Sequence, residues 1–326
     1  MINNKKILVV GGAGYIGSHV VKALKEVGYS PVVFDNLSTG LKQNLFPDCE
    51  FILGDILNYA EIKGAMAGVG AVIHLAALKA AGDSMLVPEK YAVNNVSGTI
   101  NLLNAVSEAG IKKIIFSSSA AVYGSPKYLP LDEKHPTNPE NFYGYTKLAV
   151  EELLSWYSKL KGIKFVALRY FNAVGYDASL AITGEEKNPG NLLPIIMEAV
   201  VGRRPKVTVF GTDYETADGS GVRDYIHVTD LAQAHLQSLE YLETHDSLTV
   251  NLGTTKGISV LEMIKAAKEM SGVDFPVELG ARRPGDPGTV LADASLAKQV
   301  LNWEPKYSDL ENIIKTTLSV YKKNNK

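Results

Sequence analysis

One cysteine, Cys49, is all that 326 residues provide. No intrachain disulfide and no thiolate metal cluster can form, which suits a reducing compartment. Cys49 itself is expected to be a small buried hydrophobe. The chain also lacks an excess of either charge, with 33 Lys and Arg against 35 Asp and Glu. Its basic residues are scattered, so nucleic acid is not expected as a partner, while small anions are compatible. Long apolar runs are missing too. None approaches the ~20 residues of a membrane span, so no membrane association is expected. The start, "MINNKKILVV", is positive but runs into glycines without a small-residue cleavage site, so no signal peptide is expected and the cytoplasm is the expected location. No repeat, no low-complexity tract and no metal site are read.

What is present is 46% hydrophobic residues with 21% charged, enough for a large core and for two lobes. Six short apolar runs punctuate the first half: "KILVVGG", "SPVVFDN", "CEFILGD", "GAVIHLAA", "KKIIFSSS" and "KFVALRYFN". Near-continuous apolar character marks strands buried on both faces, and the spacers between most of them are long enough for crossover helices. The pattern predicts an α/β protein, a Rossmann-type doubly wound parallel sheet with a smaller α/β substrate-binding lobe. "LLPIIMEAVVG" reads as a helix between Gly- and Asp-rich loops, and "SLTVNLGT" as a late strand. The expected division is a dinucleotide-binding domain over 1–175, with 222–255 returning to it, and a second domain over 176–326. Ligands in such sheets collect at the carboxyl ends of the strands.

The first strand leads into "GGAGYIGSH", with Gly11, Gly12, Gly14 and Gly17 ahead of an amphipathic helix. The early glycines permit a tight turn and close approach of a pyrophosphate, Gly17 permits close helix packing, and the helix N-terminus offers free N–H donors. Asp35 closes the second strand about twenty residues on, where a ribose diol would lie. A carboxylate there accepts from a 2′-hydroxyl and repels a 2′-phosphate, so NAD is favoured over NADP. "GDI", Gly54 to Ile56, ends the third strand and could hold the adenine edge; Asp55 could equally cap a helix.

"NFYGYTK" contains two tyrosines ahead of one lysine. The stretch through Gly162 has helical periodicity, so Tyr143 and Lys147, four apart, share a face while Tyr145 points elsewhere. A phenol of pKa ~10 needs roughly 4 kcal/mol of help to act as a base near pH ~7. One ammonium ~5 Å away supplies roughly 3 kcal/mol at an effective dielectric of ~20. The positive nicotinamide ring of an oxidised dinucleotide could add the rest. Upstream, "FSSSAAVYG" brings Ser117, Ser118 and Ser119 to the same sheet edge. One of them could donate to a substrate oxygen, and spacing alone does not choose.

With these residues in view the sequence resembles the extended short-chain dehydrogenase/reductases, and within them the UDP-glucose 4-epimerases. The likeness runs nearly end to end, through "GGAGYIGSH", "FDNLSTG", "GDI", "HLAALKAAGDS", "YAVNNVSGTINLL", "FSSSAAVYG", "YGYTK", "LRYFNAVG", "VFGTDYETADGSGVRDYIHV" and "RRPGD". The resemblance implies Tyr143 as the base, Lys147 as its electrostatic partner and Ser119 as the hydrogen-bond donor. It implies that Tyr15, Ile16, Asn36, Ile56, Leu75, Ala76, Ala77, Lys79, Asn94 and Phe171 join the glycines and Asp35 around NAD. For a UDP-hexose it implies Asn172, Asn191, Leu192, Phe210, Arg223, Arg283 and Asp286, the arginines supplying forks for a diphosphate. It also suggests a homodimer through the helices around "NNVSGTINLLNAVSEAG" and "KLAVEELLSWYSKL".

Phe142 stands where related sequences often have Pro, and Ala121 where they often have Thr. Val290 aligns with the position that gates sugar size, which leaves acceptance of UDP-N-acetylhexosamines open. The implied chemistry is transient oxidation at sugar C4 with inversion on return of the hydride. A nucleotide-sugar 4,6-dehydratase or reductase shares the first step, but a dehydratase needs an acid and a base where this chain has Ala120 and Ala121. A non-catalytic NAD-sensing scaffold would have no use for Tyr143 and Lys147 at helical spacing.

Overall fold

The six apolar runs form β1 (Lys6–Val10), β2 (Ser30–Asp35), β3 (Glu50–Leu53), β4 (Ala71–His74), β5 (Lys113–Ser119) and β6 (Lys164–Tyr170). The structure, a computed structural model, describes residues 6–186, 189–283 and 285–325. The first half of the N-terminal stretch read for a leader, residues 1–5, therefore lies outside the described residues. Beyond β6 come β7 (Asn172–Val174), β8 (Val207–Phe210), β9 (Val222–His227), β10 (Leu248–Leu252), β11 (Gly257–Ser259), β12 (Val277–Gly280) and β13 (Thr289–Val290). The helices are α1 (Tyr15–Glu26), α2 (Tyr59–Gly64), α3 (Ala81–Ser84), α4 (Pro88–Tyr91), α5 (Gly98–Glu108), α6 (Phe142–Lys161), α7 (Leu192–Val200), α8 (Val228–Tyr241), α9 (Val260–Ser271), α10 (Ser295–Leu301) and α11 (Leu310–Asn324).

Seven strands form one sheet in the order β10-β6-β5-β4-β1-β2-β3, every neighbouring pair parallel. Strand order reverses between β1 and β4, so a crevice opens there at the carboxyl edge. Helices cover both faces, because strands with no polar side need two apolar partners. One face packs on α1, α8 and α10 through Val20, Leu24, Leu231, Leu239 and Trp303. The other packs on α2, α5 and α6 through Ile62, Leu102, Val106, Val150 and Leu154. Each such buried side chain contributes about 2 kcal/mol in transfer energy. Cys49 is half-buried against the first of these cores rather than fully inside it.

The second lobe is built on β9, which pairs with β7, β11 and β13, and on the two-stranded β12-β8 sheet. Its core joins α7, α9 and α11 through Leu193, Met197, Met263, Ile264, Ile313 and Tyr321. A capping box between Ser259 and Glu262 starts α9, satisfying two otherwise orphaned N–H groups. The late strand β10 lies in the large sheet beside β6, while β9 lies in the small one.

Two local features shape the crevice. Helix α6 starts where Asn141 Oδ1 accepts the Gly144 N–H at 2.8 Å and stops at Gly162, whose left-handed φ of 64° no helix can continue. Between them it buries Gly144, Lys147, Val150, Glu151 and Leu154 at helical spacing. Helix α5 is entered through a π-helical turn, Ala92–Ser97. There the Asn95 amide holds both the N–H and the carbonyl of Leu78, at 2.9 and 3.0 Å, and donates to Thr146 Oγ1 at 3.0 Å. That side chain ties the loop after β4 to α6, a common use of a π turn beside a site.

Candidate active site

The turn after β1 depends on glycine at two positions. Gly11 has φ 84°, and a Cβ there would lie 2.6 Å from the Ala76 nitrogen; one at Gly17 would lie 2.1 Å from the Gly11 carbonyl oxygen. Nothing larger lets the turn pack so closely on the chain after β4 and on α1. Gly14 is the N-cap of α1 and brings no side-chain cap, so the helix presents backbone donors and a partial positive charge to the crevice. Gly11, Gly14, Asp35 and Asn36 line the adjoining cleft with Ile56, Leu75, Ala76, Ala77 and Asn94. Tyr15, Ile16, Gly17 and Lys79 line its continuation toward the second lobe. Gly12 faces Val33 instead, and Asp55 holds the cleft rim by accepting from Asn36 Nδ2 at 2.9 Å.

Asp35 is buried. Burial pushes its carboxyl up, and the N–H groups of Leu37 and Ala13 oppose that. One oxygen accepts from Leu37 N at 2.8 Å and the other from Ala13 N at 3.0 Å. Each oxygen keeps a lone pair for a diol, and a second anion there would meet a buried negative charge. The cradle, the helix terminus and this carboxylate together suit an unphosphorylated dinucleotide such as NAD.

Further along the same edge a cavity of about 270 Å³ is lined by Ser119, Tyr143, Lys147, Phe171, Asn172 and Asn191, among others. Tyr143 and Lys147 meet in it while Tyr145 is exposed, as their spacing on α6 predicts. The Lys147 ammonium donates to the Ser117 carbonyl at 2.6 Å and lies 4.8 Å from the Phe116 ring centre and 5.8 Å from that of Tyr143. The three serines have different employments. Ser117 stands beside the Tyr170 hydroxyl and opposes its upward shift, and that hydroxyl faces His235 Nε2 at 2.6 Å. Ser118 donates to Glu151. Ser119 shares the cavity of Tyr143, and its hydroxyl, which accepts from Ala121 N at 3.2 Å, is close enough to oppose the upward shift of the phenol.

The electrostatics differ from the sequence expectation. Burial pushes the Tyr143 phenol up, opposed only by the nearby Ser119 hydroxyl. Burial also lowers the Lys147 ammonium to about 7, against the attraction of Glu151. Desolvation disfavours both charges, so the lysine alone does not ionise the phenol.

The second lobe contributes a cavity lined by Asn172, Asn191, Leu192, Phe210, Arg223, Arg283 and Asp286, together with Arg204 and Lys206. Arg223 pairs with Asp286, and the Arg283 guanidinium lies 4.0 Å from the Phe210 ring centre, a stacking a planar cation favours. Asn172 Nδ2 donates to the Asp224 carbonyl at 2.9 Å. Lys79 is held across the crevice by Glu186 at 2.9 Å.

The sequence model of the NAD dependent epimerase/dehydratase family matches residues 7–253. The chain belongs to that family. Among its members, the UDP-glucose 4-epimerase of Lacticaseibacillus casei is 44% identical over 314 residues, 95% of each chain. The crystal structure of UDP-glucose 4-epimerase from Brucella ovis in complex with NAD is 45% identical, covers 97% of this chain and 98% of that one, and superposes with a TM-score of 0.95. The UDP-Glc/GlcNAc 4-epimerase from Campylobacter jejuni is 39% identical, covers 98% and 99%, and gives 0.87.

Family motifs did not bring out Glu151, Arg169, Tyr170, Arg204 or Lys206. Glu151 had a signal, since it lies four residues beyond Lys147 on the same helix face. Arg204 and Lys206 stand in the basic stretch "GRRPK". Arg169 and Tyr170 stand at the end of an apolar strand in "LRYFNAVG", a motif from which only Phe171 and Asn172 were given roles.

Proposed function

We propose that this chain is a UDP-glucose 4-epimerase that interconverts UDP-galactose and UDP-glucose with tightly held NAD. The observation that carries the reading is the meeting of Ser119, Tyr143 and Lys147 in a cavity between the glycine cradle and the arginine-bearing lobe. Gly11, Gly14, Asp35, Asn36, Leu75 and Lys79 hold the dinucleotide. When bound, NAD supplies the acceptor and donor for the C4 hydride and, oxidised, a positive ring. Tyr143 Oη takes the proton of the sugar 4-hydroxyl, Ser119 Oγ aligns that oxygen, and Tyr143 returns the proton as configuration inverts. Arg223 and Arg283 grip the diphosphate while the hexose turns over, so both faces of C4 reach one reacting position. Phe210, Asn172 and Asn191 hold the remainder of the nucleotide sugar. Ala120 and Ala121 offer no acid or base for expelling a C6 hydroxyl, which speaks against a dehydratase.

The division into an NAD lobe, 1–175 with 222–255, and a sugar-nucleotide lobe, 176–326, belongs to the same proposal, except that β7 and β9 join the small sheet and so go with the second lobe. It is supported by β10 in the large sheet. So does a homodimer through α5 and α6, supported by the exposed Tyr145, Trp156 and Leu160 on α6. No helix among the described residues is long and apolar enough to cross a membrane, and a cytoplasmic location is proposed. The test is conversion of UDP-galactose to UDP-glucose by purified protein without added NAD. Tyr143→Phe should lower that rate by at least ~10²-fold while leaving the dinucleotide bound; an undiminished rate overturns the reading.

A further inference from the structure

Lys147 is 3% exposed, and its ammonium has a carbonyl and two aromatic rings around it but no direct carboxylate. One helical turn further along α6 lies Glu151, 7% exposed. Tyr143, Lys147 and Glu151 thus occupy three successive turns of one face. Both Glu151 oxygens are engaged. Oε1 accepts from Ser118 Oγ and from Arg169 Nε at 3.0 Å, and Oε2 accepts from Arg169 Nη2 at 2.6 Å. Arg169, 6% exposed on β6, also donates to the Tyr123 hydroxyl at 2.8 Å, which donates to Asn251 Oδ1 at 2.7 Å. Asn251 is tied in turn to the Leu131 carbonyl and to Glu133. The network crosses α6, β5, β6 and β10 and ends at the half-buried Glu133.

A buried ion pair is a poor way to gain stability, because desolvation offsets most of its attraction and apolar replacements often do as well. This one stands against the helix turn that carries the catalytic ammonium. Its serine lies between the two whose hydroxyls face Tyr170 and Tyr143. Side chains alternate along a strand, so anchoring Ser118 on the Glu151 side turns Ser117 and Ser119 to the other. The charged and titratable groups facing Lys147 are few. They are Tyr143 and Glu151 from its own helix and His74 from β4, with Arg169, Tyr123 and Glu133 behind Glu151. His74 is neutral, its ring nitrogen facing Thr99 Oγ1 at 2.9 Å. Glu151 is therefore the one formal negative charge near the ammonium among the described residues.

We propose that Glu151, locked by Arg169 and Ser118, is a positioning residue that keeps Lys147 protonated and Ser119 turned toward Tyr143 during the proton transfers. Opposite charges a few ångströms apart favour each other's ionised form, strongly where water is excluded. Arg169 is what lets the carboxylate stay ionised in a buried place, since it supplies two donors in the bidentate geometry. The inference rests on the assignment of Tyr143 and Lys147 above.

The test is the pH profile of kcat in the cofactor-loaded enzyme. Activity should fall at high pH as Lys147 loses its proton. Glu151→Gln leaves Arg169 buried without its counter-charge and should move that alkaline limb down by about one pH unit, about a tenfold loss at pH values above it. The double variant Glu151→Gln/Arg169→Gln, which removes both charges, should fold at least as well and place the limb between the two. Ser118→Ala should lower kcat with the limb in place. A limb that stays put in both the single and the double variant, with activity lost in proportion to melting temperature, overturns the proposal and makes the pair structural. Lys147→Met separates the two ideas, because a limb that survives it means that Lys147 is not the titrating group and the underlying assignment fails.

Discussion

The two walls of the crevice are made in different ways. On the sheet side the contacts come from main-chain geometry, a glycine turn and strand ends, each specified by a few consecutive residues. On the second-lobe side they come from long side chains brought in by separate segments. Arg223 and Asp286 are 63 positions apart, and Phe210 meets Arg283 from another strand and loop. A site built of backbone is rigid and tolerates no added atoms. A site built of arginines and aromatics can release and regrip, which suits a lobe that must hold a diphosphate while the sugar turns.

The comparison breaks first if the glycine turn tolerates side chains. Gly17→Ala puts a Cβ 2.1 Å from the Gly11 carbonyl oxygen, so the turn must open. Purified protein should lose its dinucleotide absorbance and all activity. Gly64→Ala, where a Cβ meets nothing within 4 Å, should keep both and gain up to about 1 kcal/mol of helix propensity.

The next effect concerns the packing that keeps the lobes together. Burial holds His19 and His227, which sit where the lobes join, at about 4, and likewise His235; His74 is lowered to about 3, with Lys147 as a second cause. Below the ordinary value of 6.5 the unfolded chain takes up protons that the folded one refuses. Stability is therefore full above that value and falls as pH drops toward 4. At pH 5 each histidine costs about 2 kcal/mol by linkage. Melting temperature against pH should drop steeply below about pH 6, and a flat curve down to pH 4.5 would contradict the buried neutral state.

The smallest effect sharpens the contrast. Arg283→Leu removes one charge-assisted contact to a diphosphate, about 1.5 to 3 kcal/mol, so KM for UDP-galactose should rise about tenfold or more with cofactor content unchanged. Loss of cofactor in that variant would mean that the two walls are not separate.

The same division explains what could be read from the amino-acid order. The seven strands of the large sheet, the glycine turn and the shared face of Tyr143 and Lys147 follow from local pattern, because periodicity and turn chemistry act over a few residues. Three adjacent serines have one pattern and three different partners, and only the packing of α6 and β6 against β5 separates Ser119 from the others. Arg169 reads as an interruption of an apolar strand until Glu151 is placed beside it. The π turn at Ala92–Ser97 has no sequence signature; it coincides with the tertiary contacts of Asn95 to Leu78 and Thr146. The arginine lobe was legible only through family resemblance.

The sequence argument also overstated what Lys147 does. Burial works against both the phenolate and the ammonium, so ionisation of Tyr143 must await the positive charge of the oxidised dinucleotide. That coupling is open to a single measurement, ultraviolet difference titration of Tyr143, taken as wild type minus Tyr143→Phe, with and without NAD. The account predicts ionisation near neutral pH in the loaded protein and above pH ~10 once the cofactor is stripped. The same midpoint in both states would contradict it.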